Sequence, residues 1–248
     1  VSCAETLAYS IKKVMPLESV TLVSTSTIDS PYFDKVVTLP NGDLAPNSDW
    51  KLINDWQIYD ASPYEYTIKL EADMYLPADI TYWWDVLQDR DIVVSTTIRN
   101  FKNELSTSKA YRGFIVDNNL PNTYNAITYF KKSTAAKQFF AIVRNVFEHW
   151  EEYKKILKCN IHEIATTDWV YAIACHIMGV EQTTLPTFTQ MSMIHMKKLV
   201  NNLLTEDWTT ELVFETATVL KINTIPQRFP FHYHVKDFNK VLRAQYAG

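Results

Sequence analysis

Helix-patterned and strand-patterned stretches alternate along the first half of this chain, the pattern of a parallel sheet with crossover helices. Ala4, Leu7, Ala8, Ile11 and Val14 recur at helical spacing, and Pro16 closes the helix they predict. Strand-type runs follow at Val20 to Val23 and Val36 to Leu39. A helix that opens the chain and feeds a strand implies a first strand at or before Val1. Trp50 to Tyr59 reads as a helix, Pro63 as a turn, and Tyr66 to Leu70 as a strand. Asp79 is placed to cap a helix through Leu87, and strands are expected at Ile92 to Thr97 and Ile127 to Phe130.

The second half is less regular. Ser133 to Leu157 carries Phe139, Val143, Trp150, Tyr153 and Leu157 near one face and predicts one long amphipathic helix. Another helix begins at Thr167 or Asp168 and runs through Ile177. A helical stretch near His195 to Leu204 and a strand-like Glu211 to Ile222 follow, then an aromatic, His-rich tail from Phe229 to Val235. With no repeat, low-complexity tract or linker, residues 1–248 parse as one α/β domain, expected to hold a single Rossmann-like, mostly parallel sheet flanked by helices.

Composition narrows the function. Hydrophobic residues at 47% against 21% charged suffice for a large core and exclude general disorder. Only four glycines are present, with no GxGxxG or GxxxxGK[ST] string, so a glycine loop is excluded as the main phosphate-binding device. A net charge of −4 announces no nucleic-acid field, although a local basic patch stays open. Cys3, Cys159 and Cys175 form no CxxC pair, which argues against a disulfide framework or zinc site and for a reducing, cytoplasmic setting. None of the three has an activating partner in sequence. No apolar run reaches membrane-spanning length and no signal peptide is visible, so no membrane partner is expected.

The chemistry concentrates in IKLEADMYLP, where Glu71 and Asp73 follow a strand that reads as core. Ligands of open α/β sheets bind outside the carboxyl ends of strands. Two acids there can address one divalent cation, Mn²⁺ or Mg²⁺, to which a diphosphate adds further oxygens. The bland alternative is a pair of solvated strand-end acids. The string resembles the DxD motif of A-fold (GT-A) nucleotide-sugar glycosyltransferases, with Glu71 in place of the usual first Asp. KLINDWQIYDASPYEYTIKLEADM resembles the helix, turn and strand that precede that motif, and NTYNAITYFKKSTAAKQFF the acceptor-side wall. FHYHVKDF is similar to the C-terminal His and Lys stretch that completes metal and diphosphate binding.

The resemblance covers about Ala4 to Phe238. It implies a metal-dependent transferase with a nucleotide-sugar donor, the expected carrier being uridine diphosphate. Glu71, Asp73, His232 and His234 are the implied metal residues, and Lys236 the contact to the β-phosphate. EADMYLP, YNAITYFKKS and TTDWVYAIAC look most like transferases encoded by tailed bacteriophages, some of which decorate hydroxymethylated DNA bases. Modified duplex DNA thereby becomes a candidate acceptor, beside a glycan or small molecule. Lys131, Lys132, Lys137, Lys197 and Lys198 are the cationic clusters available to it.

Each remaining candidate has two readings. Asp168 is either a first-turn carboxylate favoured by the helix dipole or the acceptor-facing base. Asn125 holds a sugar hydroxyl or serves a turn. Lys51 and Arg112 meet phosphate or sugar, or stand exposed. His232 and His234, one residue apart, would share a strand face, yet histidines of an aromatic tail also simply pack. His195, on its expected helix, reads as structural, and Trp83-Trp84 as packing behind the metal strand. Two rival functions stay open: nucleotidyl transfer, and nucleotide-sugar binding without turnover, the latter suggested by Glu71.

Overall fold

The computed structural model describes residues 1–48, 51–159, 164–216 and 219–245. The order is α1 (Ser2–Val14), β1 (Thr21–Ser24), β2 (Lys35–Thr38), a 3-10 turn at Leu52–Gln57 running into α2 (Ile58–Ala61), β3 (Tyr66–Leu70) and β4 (Met74–Tyr75). Then come α3 (Tyr82–Leu87), β5 (Ile92–Ser95), β6 (Thr97–Arg99), α4 (Gly113–Asp117), β7 (Tyr124–Lys131), α5 (Thr134–Glu148) and α6 (Trp150–Ile156). The chain continues through α7 (Thr167–Met178), α8 (Val180–Thr183), β8 (Ser192–His195), α9 (Lys198–Asn201) and the hairpin strands β9 (Phe214–Thr216) and β10 (Leu220–Ile222). It ends with β11 (Ile225–Pro226), β12 (Phe231–His232) and α10 (Phe238–Ala244).

Several boundaries have plain local causes. Met15 leaves helical geometry (φ −136°, ψ 72°) because the ring of Pro16 disfavours helix in the residue before it. Ser62 turns extended before Pro63 for the same reason. Ser133 and Thr166 cap α5 and α7, each accepting an amide hydrogen bond from the first turn. The long helix expected over Ser133 to Leu157 is instead two, broken at His149 (φ −115°, ψ 28°), whose ring lies against Asn145. Asp79 closes a turn by accepting from the Thr81 amide and does not cap α3. The stretch from His195 splits into the end of β8 and the short α9. MSMIHM is buried on both faces, so no alternation marks it as a strand.

The α/β class holds, but the strands do not form one parallel sheet. Among the described residues they make four small sheets: β1-β2, β3-β7-β5, β4-β12-β8-β6 and β11-β10-β9. β7 runs antiparallel to both β3 and β5. β12 is parallel to β8, and β8 to β6, while β4 is antiparallel to β12. Alternating helix and strand patterns report element order, not direction. Here the connection from β5 to β7 passes through β6 and the short α4 rather than a helix returning the chain to the same end.

β7 anchors the centre, buried from Tyr124 to Phe130. Its two faces feed different cores, as period-2 side chains must. Phe130 packs with Ile92, Val94, Phe139, Val143 and Tyr171 under α5 and α7, while Ile127 and Tyr129 pack with Met74, Leu76, Trp83 and Leu87 under α1 and α3. A third cluster, around Trp208, Phe231, Tyr233 and Phe238, holds the C-terminal tail against β8 and β4. Burying each such aromatic contributes about 1.5–3 kcal/mol. The tail is therefore a core element.

Candidate metal centre

The two acids stand where the chain passes from one sheet to another. β3 pairs with β7 up to Leu70, and the Glu71 amide still donates to the Ala126 carbonyl at 3.2 Å. After the Ala72-Asp73 turn, β4 pairs with β12 in a register that sets Met74 opposite His232. The Tyr233 amide donates to the Asp73 carbonyl at 3.2 Å. The tail strand thus delivers His232 to the acids: its Nε2 lies 3.2 Å from Glu71 Oε2 and 3.3 Å from Asp73 Oδ1. The Lys236 ammonium closes on Asp73 Oδ2 while its side chain stays 66% exposed.

Burial and charge pull these groups apart. Burial raises the Glu71 carboxyl above its ordinary value. Burial acts the same way on Asp73, but His232 and Lys236 outweigh it and hold that carboxyl far below the carboxylate range. For His232, burial favours the neutral ring, and Asp73 and Glu71 overcome it, so its value is raised. Its Nδ1 is buried and finds no hydrogen-bond partner among the described residues. Two carboxylates and one imidazole, their ligand atoms mutually within 4.8 Å, suit Mn²⁺ or Mg²⁺, with imidazole favouring the transition metal.

His195, misplaced on a helix by its sequence, ends β8 as the register partner of His232. Its Nδ1 lies 3.3 Å from His234 Nε2, and its ring stacks on Tyr111 at 6.1 Å. It is satisfied, as a structural histidine would be, but inside a cluster of three. His234 does not continue β12. Its backbone turns left-handed (φ 56°), which carries its ring across His232 with centroids 3.8 Å apart, so the two rings meet by a turn rather than by strand periodicity. Burial depresses His195 well below the ordinary imidazole range and His234 to about 2, leaving both neutral at ordinary pH.

A polar wall continues from Glu71. Lys69, two residues earlier on the same strand face, is half-buried and pairs with Asp55 at 3.0 Å. Asp55 also accepts from the Tyr171 hydroxyl at 2.5 Å and from Asn125 Nδ2 at 3.2 Å. Asn125 lies in a bulge of β7, where the partner register jumps from Thr128 to Tyr124, and not in a turn. Its amide donates to Asp168 Oδ1 at 3.0 Å, and Arg112 Nη1 to Asp168 Oδ2 at 2.6 Å. Asp168 sits in the first turn of α7 behind the Thr166 cap, as its reading as a first-turn acid expects, and acts electrostatically on Glu71 and Lys69.

Arg112 is buried rather than exposed. Lys51 is already committed, its ammonium 2.7 Å from Asp43 Oδ2 and 2.6 Å from the Ala45 carbonyl, which holds Asp43 down at about 2. Lys51 nevertheless lines, with Asn54, Asp55, Lys69 and Glu71, a cleft of about 750 Å³ between β1 and β3. Its other walls are apolar, Leu22, Phe33 and Ile68 among them, and its size suits a nucleotide-sized ligand. Lys69, Asp55 and Tyr171 escaped the sequence reading. The signal for Lys69 was present, a lysine inside an apolar strand at period-2 spacing from Glu71.

The lysines divide by place. The register Tyr66↔Lys131 puts Lys131, with Lys132 beside it, at the start of β3, about 17 Å from Glu71 at 3.3 Å per residue. Lys197 instead follows His195 and lies over the Tyr111 ring at 5.8 Å. Trp83 is fully buried and Trp84 donates to Glu18 at 3.1 Å, both as packing expects. Cys175 is buried and pushed up to about 12, so it is no nucleophile. Among the described residues no helix is long and apolar enough to cross a membrane. No known family model matches this chain, and no curated protein matches it in sequence.

Proposed function

We propose that this chain is a metal-dependent glycosyltransferase of the GT-A type that moves a sugar from a nucleoside-diphosphate carrier, with uridine diphosphate the expected one, to an acceptor hydroxyl. The observation that carries the reading is the convergence of Glu71, Asp73 and His232 at the end of β3, beside a cleft with one polar and one apolar side. Such a donor set fits Mn²⁺ or Mg²⁺, which would supply charge neutralisation to the departing diphosphate.

The protein's own groups supply the rest. The apolar side of the cleft takes the nucleoside, and the Lys69, Asp55 and Asn125 wall meets sugar hydroxyls. Lys236 moves from Asp73 to the β-phosphate as a point charge. The acceptor oxygen bonds to the anomeric carbon as the bond from that carbon to the diphosphate oxygen breaks, and the electron pair leaves on the nucleoside diphosphate. The acceptor proton passes to Asp168, whose carboxylate Arg112 and the Asn125 amide hold in place.

The deciding experiment incubates the protein with Mn²⁺ or Mg²⁺ and a panel of nucleotide-sugars and follows released nucleotide. Metal-dependent release from one donor, accelerated by an acceptor, is the expected result. Binding without release would leave a nucleotide-sugar-binding protein, and pyrophosphate release from a nucleoside triphosphate a nucleotidyltransferase.

A further inference from the structure

We propose a second, nitrogen-rich metal seat beside the carboxylate one, formed by His195, His232 and His234 and fitted to Zn²⁺ or a similar borderline cation. The ligand atoms of these three residues lie within 4.8 Å of one another, and no carboxylate belongs to the set. Two strands and a left-handed turn bring them together. β8 and β12 set His195 and His232 side by side in register, and the positive φ of His234 swings its ring back over them.

One pair of these nitrogens already has the spacing of ligands around a small ion. Zinc holds imidazole nitrogen at about 2.0–2.1 Å in tetrahedral geometry, and the edge of such a tetrahedron is about 3.3 Å. His234 Nε2 and His195 Nδ1 stand 3.3 Å apart. In the metal-free protein one of these nitrogens donates to the other, so ligation replaces that proton. His195 and His232 are buried and His234 half-buried, a set of three protein ligands of the kind that leaves the fourth position of a tetrahedral ion to an exchangeable ligand. Tyr111 stacked on His195 and the buried Tyr124 at its edge keep that ring oriented, the service a metal-bound imidazole needs from its neighbours.

The two seats differ in kind: oxygen-rich and suited to Mn²⁺ or Mg²⁺, or all-imidazole and suited to zinc or cobalt. They share His232. The inference does not rest on glycosyl transfer.

Asp73→Asn disables the carboxylate seat and isolates the histidine one, so the titrations use that background, with Zn²⁺ alone by calorimetry and Co²⁺ alone by visible absorption. Asp73→Asn retains one Zn²⁺ and gives a Co²⁺ spectrum of imidazole character, while adding His195→Phe or His234→Asn weakens Zn²⁺ binding at least about tenfold. Asparagine tolerates the positive φ of position 234, so His234→Asn keeps the backbone if His195→Phe does not fold. Failure of Asp73→Asn to bind Zn²⁺, or unchanged Zn²⁺ affinity in the folded double variants, overturns the proposal. Neither outcome bears on Mn²⁺-dependent nucleotide release by the unaltered protein, which tests the transferase reading separately.

Discussion

Nε2 of His232 stands 3.2 Å from Oε2 of Glu71, although one residue belongs to the C-terminal tail and the other to the end of β3. The contact exists because Trp208 and Phe238 clamp the tail through Phe231, packing their rings 5.9 and 6.0 Å from its ring, which seats β12 beside β4. Core packing therefore sets the spacing between His232 and the two acids of the candidate centre.

Asp73→Asn is expected to lower metal-dependent turnover about a thousandfold or more, the loss of several kcal/mol of metal-borne stabilisation. Glu71→Gln should cost a comparable factor, because Glu71 and Asp73 approach His232 equally, at 3.2 and 3.3 Å. Steady-state nucleotide release across a Mn²⁺ series measures both. A Glu71→Gln enzyme near normal at modest Mn²⁺ would remove that carboxylate from the ligand set.

His232→Ala should weaken Mn²⁺-dependent binding of a nucleoside diphosphate more than His234→Ala does, since only His232 touches both acids. Calorimetry with and without Mn²⁺ reads the difference. Equal, negligible effects would leave the tail as packing alone.

The Lys69–Asp55 pair is a stability prediction. The side chains are only 9% and 18% exposed, and breaking a largely desolvated pair strands one charge. Lys69→Met should cost about 3–5 kcal/mol, whereas Lys69→Met with Asp55→Leu should recover part of that. Urea unfolding of the two singles and the double gives the coupling. Additive losses would show that the pair contributes nothing beyond each partner.

How far the sequence carries is clearest in these same residues. IKLEADM announced Glu71 and Asp73 because strand, acid spacing and turn all lie within one short segment. β3 matches its expected bounds, and α1 covers the expected Ala4 to Val14 and ends before Pro16, because apolar spacing and closing proline are local. The place of His195 beside His232 was not legible, since only the parallel pairing of β8 with β12 brings the two together. The antiparallel course of β7 between β3 and β5 was equally hidden, because a fully buried strand shows the same apolar run in either direction. Asn125 and Asp168 carried local signals for turn and cap, but their bond to each other depends on a bulge no spacing encodes.

Stability should fall with pH below about 6.5, the ordinary imidazole value. His195 and His234 have lowered values in the folded protein, so the unfolded chain takes up protons that the folded one refuses. Their contribution is complete above the unfolded value and is lost progressively from there as pH falls toward and through the lowered folded value, at most about 1.4 kcal/mol per pH unit for each ring. His232 acts in the opposite sense. Its raised value adds stability that is complete below the unfolded value and fades as pH rises through the folded one. Thermal unfolding of metal-free protein between pH 7 and 5 should show a shallower decline for His234→Asn than for the unaltered chain. Parallel declines would mean that His234 titrates freely.

The last prediction concerns a DNA acceptor. A hydroxymethylated pyrimidine in duplex DNA must leave the stack to reach the site, and the protein must hold the flanking phosphates while it does. Such contacts make affinity fall steeply with salt. Position decides which lysines can serve. Lys131 and Lys132 lie at the start of β3, with Lys132 bound to the Tyr59 carbonyl, while Lys197 and Lys198 follow His195 at the centre itself. Lys197→Ala and Lys198→Ala should each weaken binding of modified duplex and reduce the salt slope by about one. Lys131→Ala, Lys132→Ala and Lys137→Ala should leave both unchanged. Titration of modified duplex at two salt concentrations, with sugar transfer followed by mass spectrometry of the nucleosides, reads affinity and chemistry together. Transfer to a small sugar or protein acceptor, with no salt-sensitive DNA binding, removes DNA and leaves the metal centre to serve another hydroxyl.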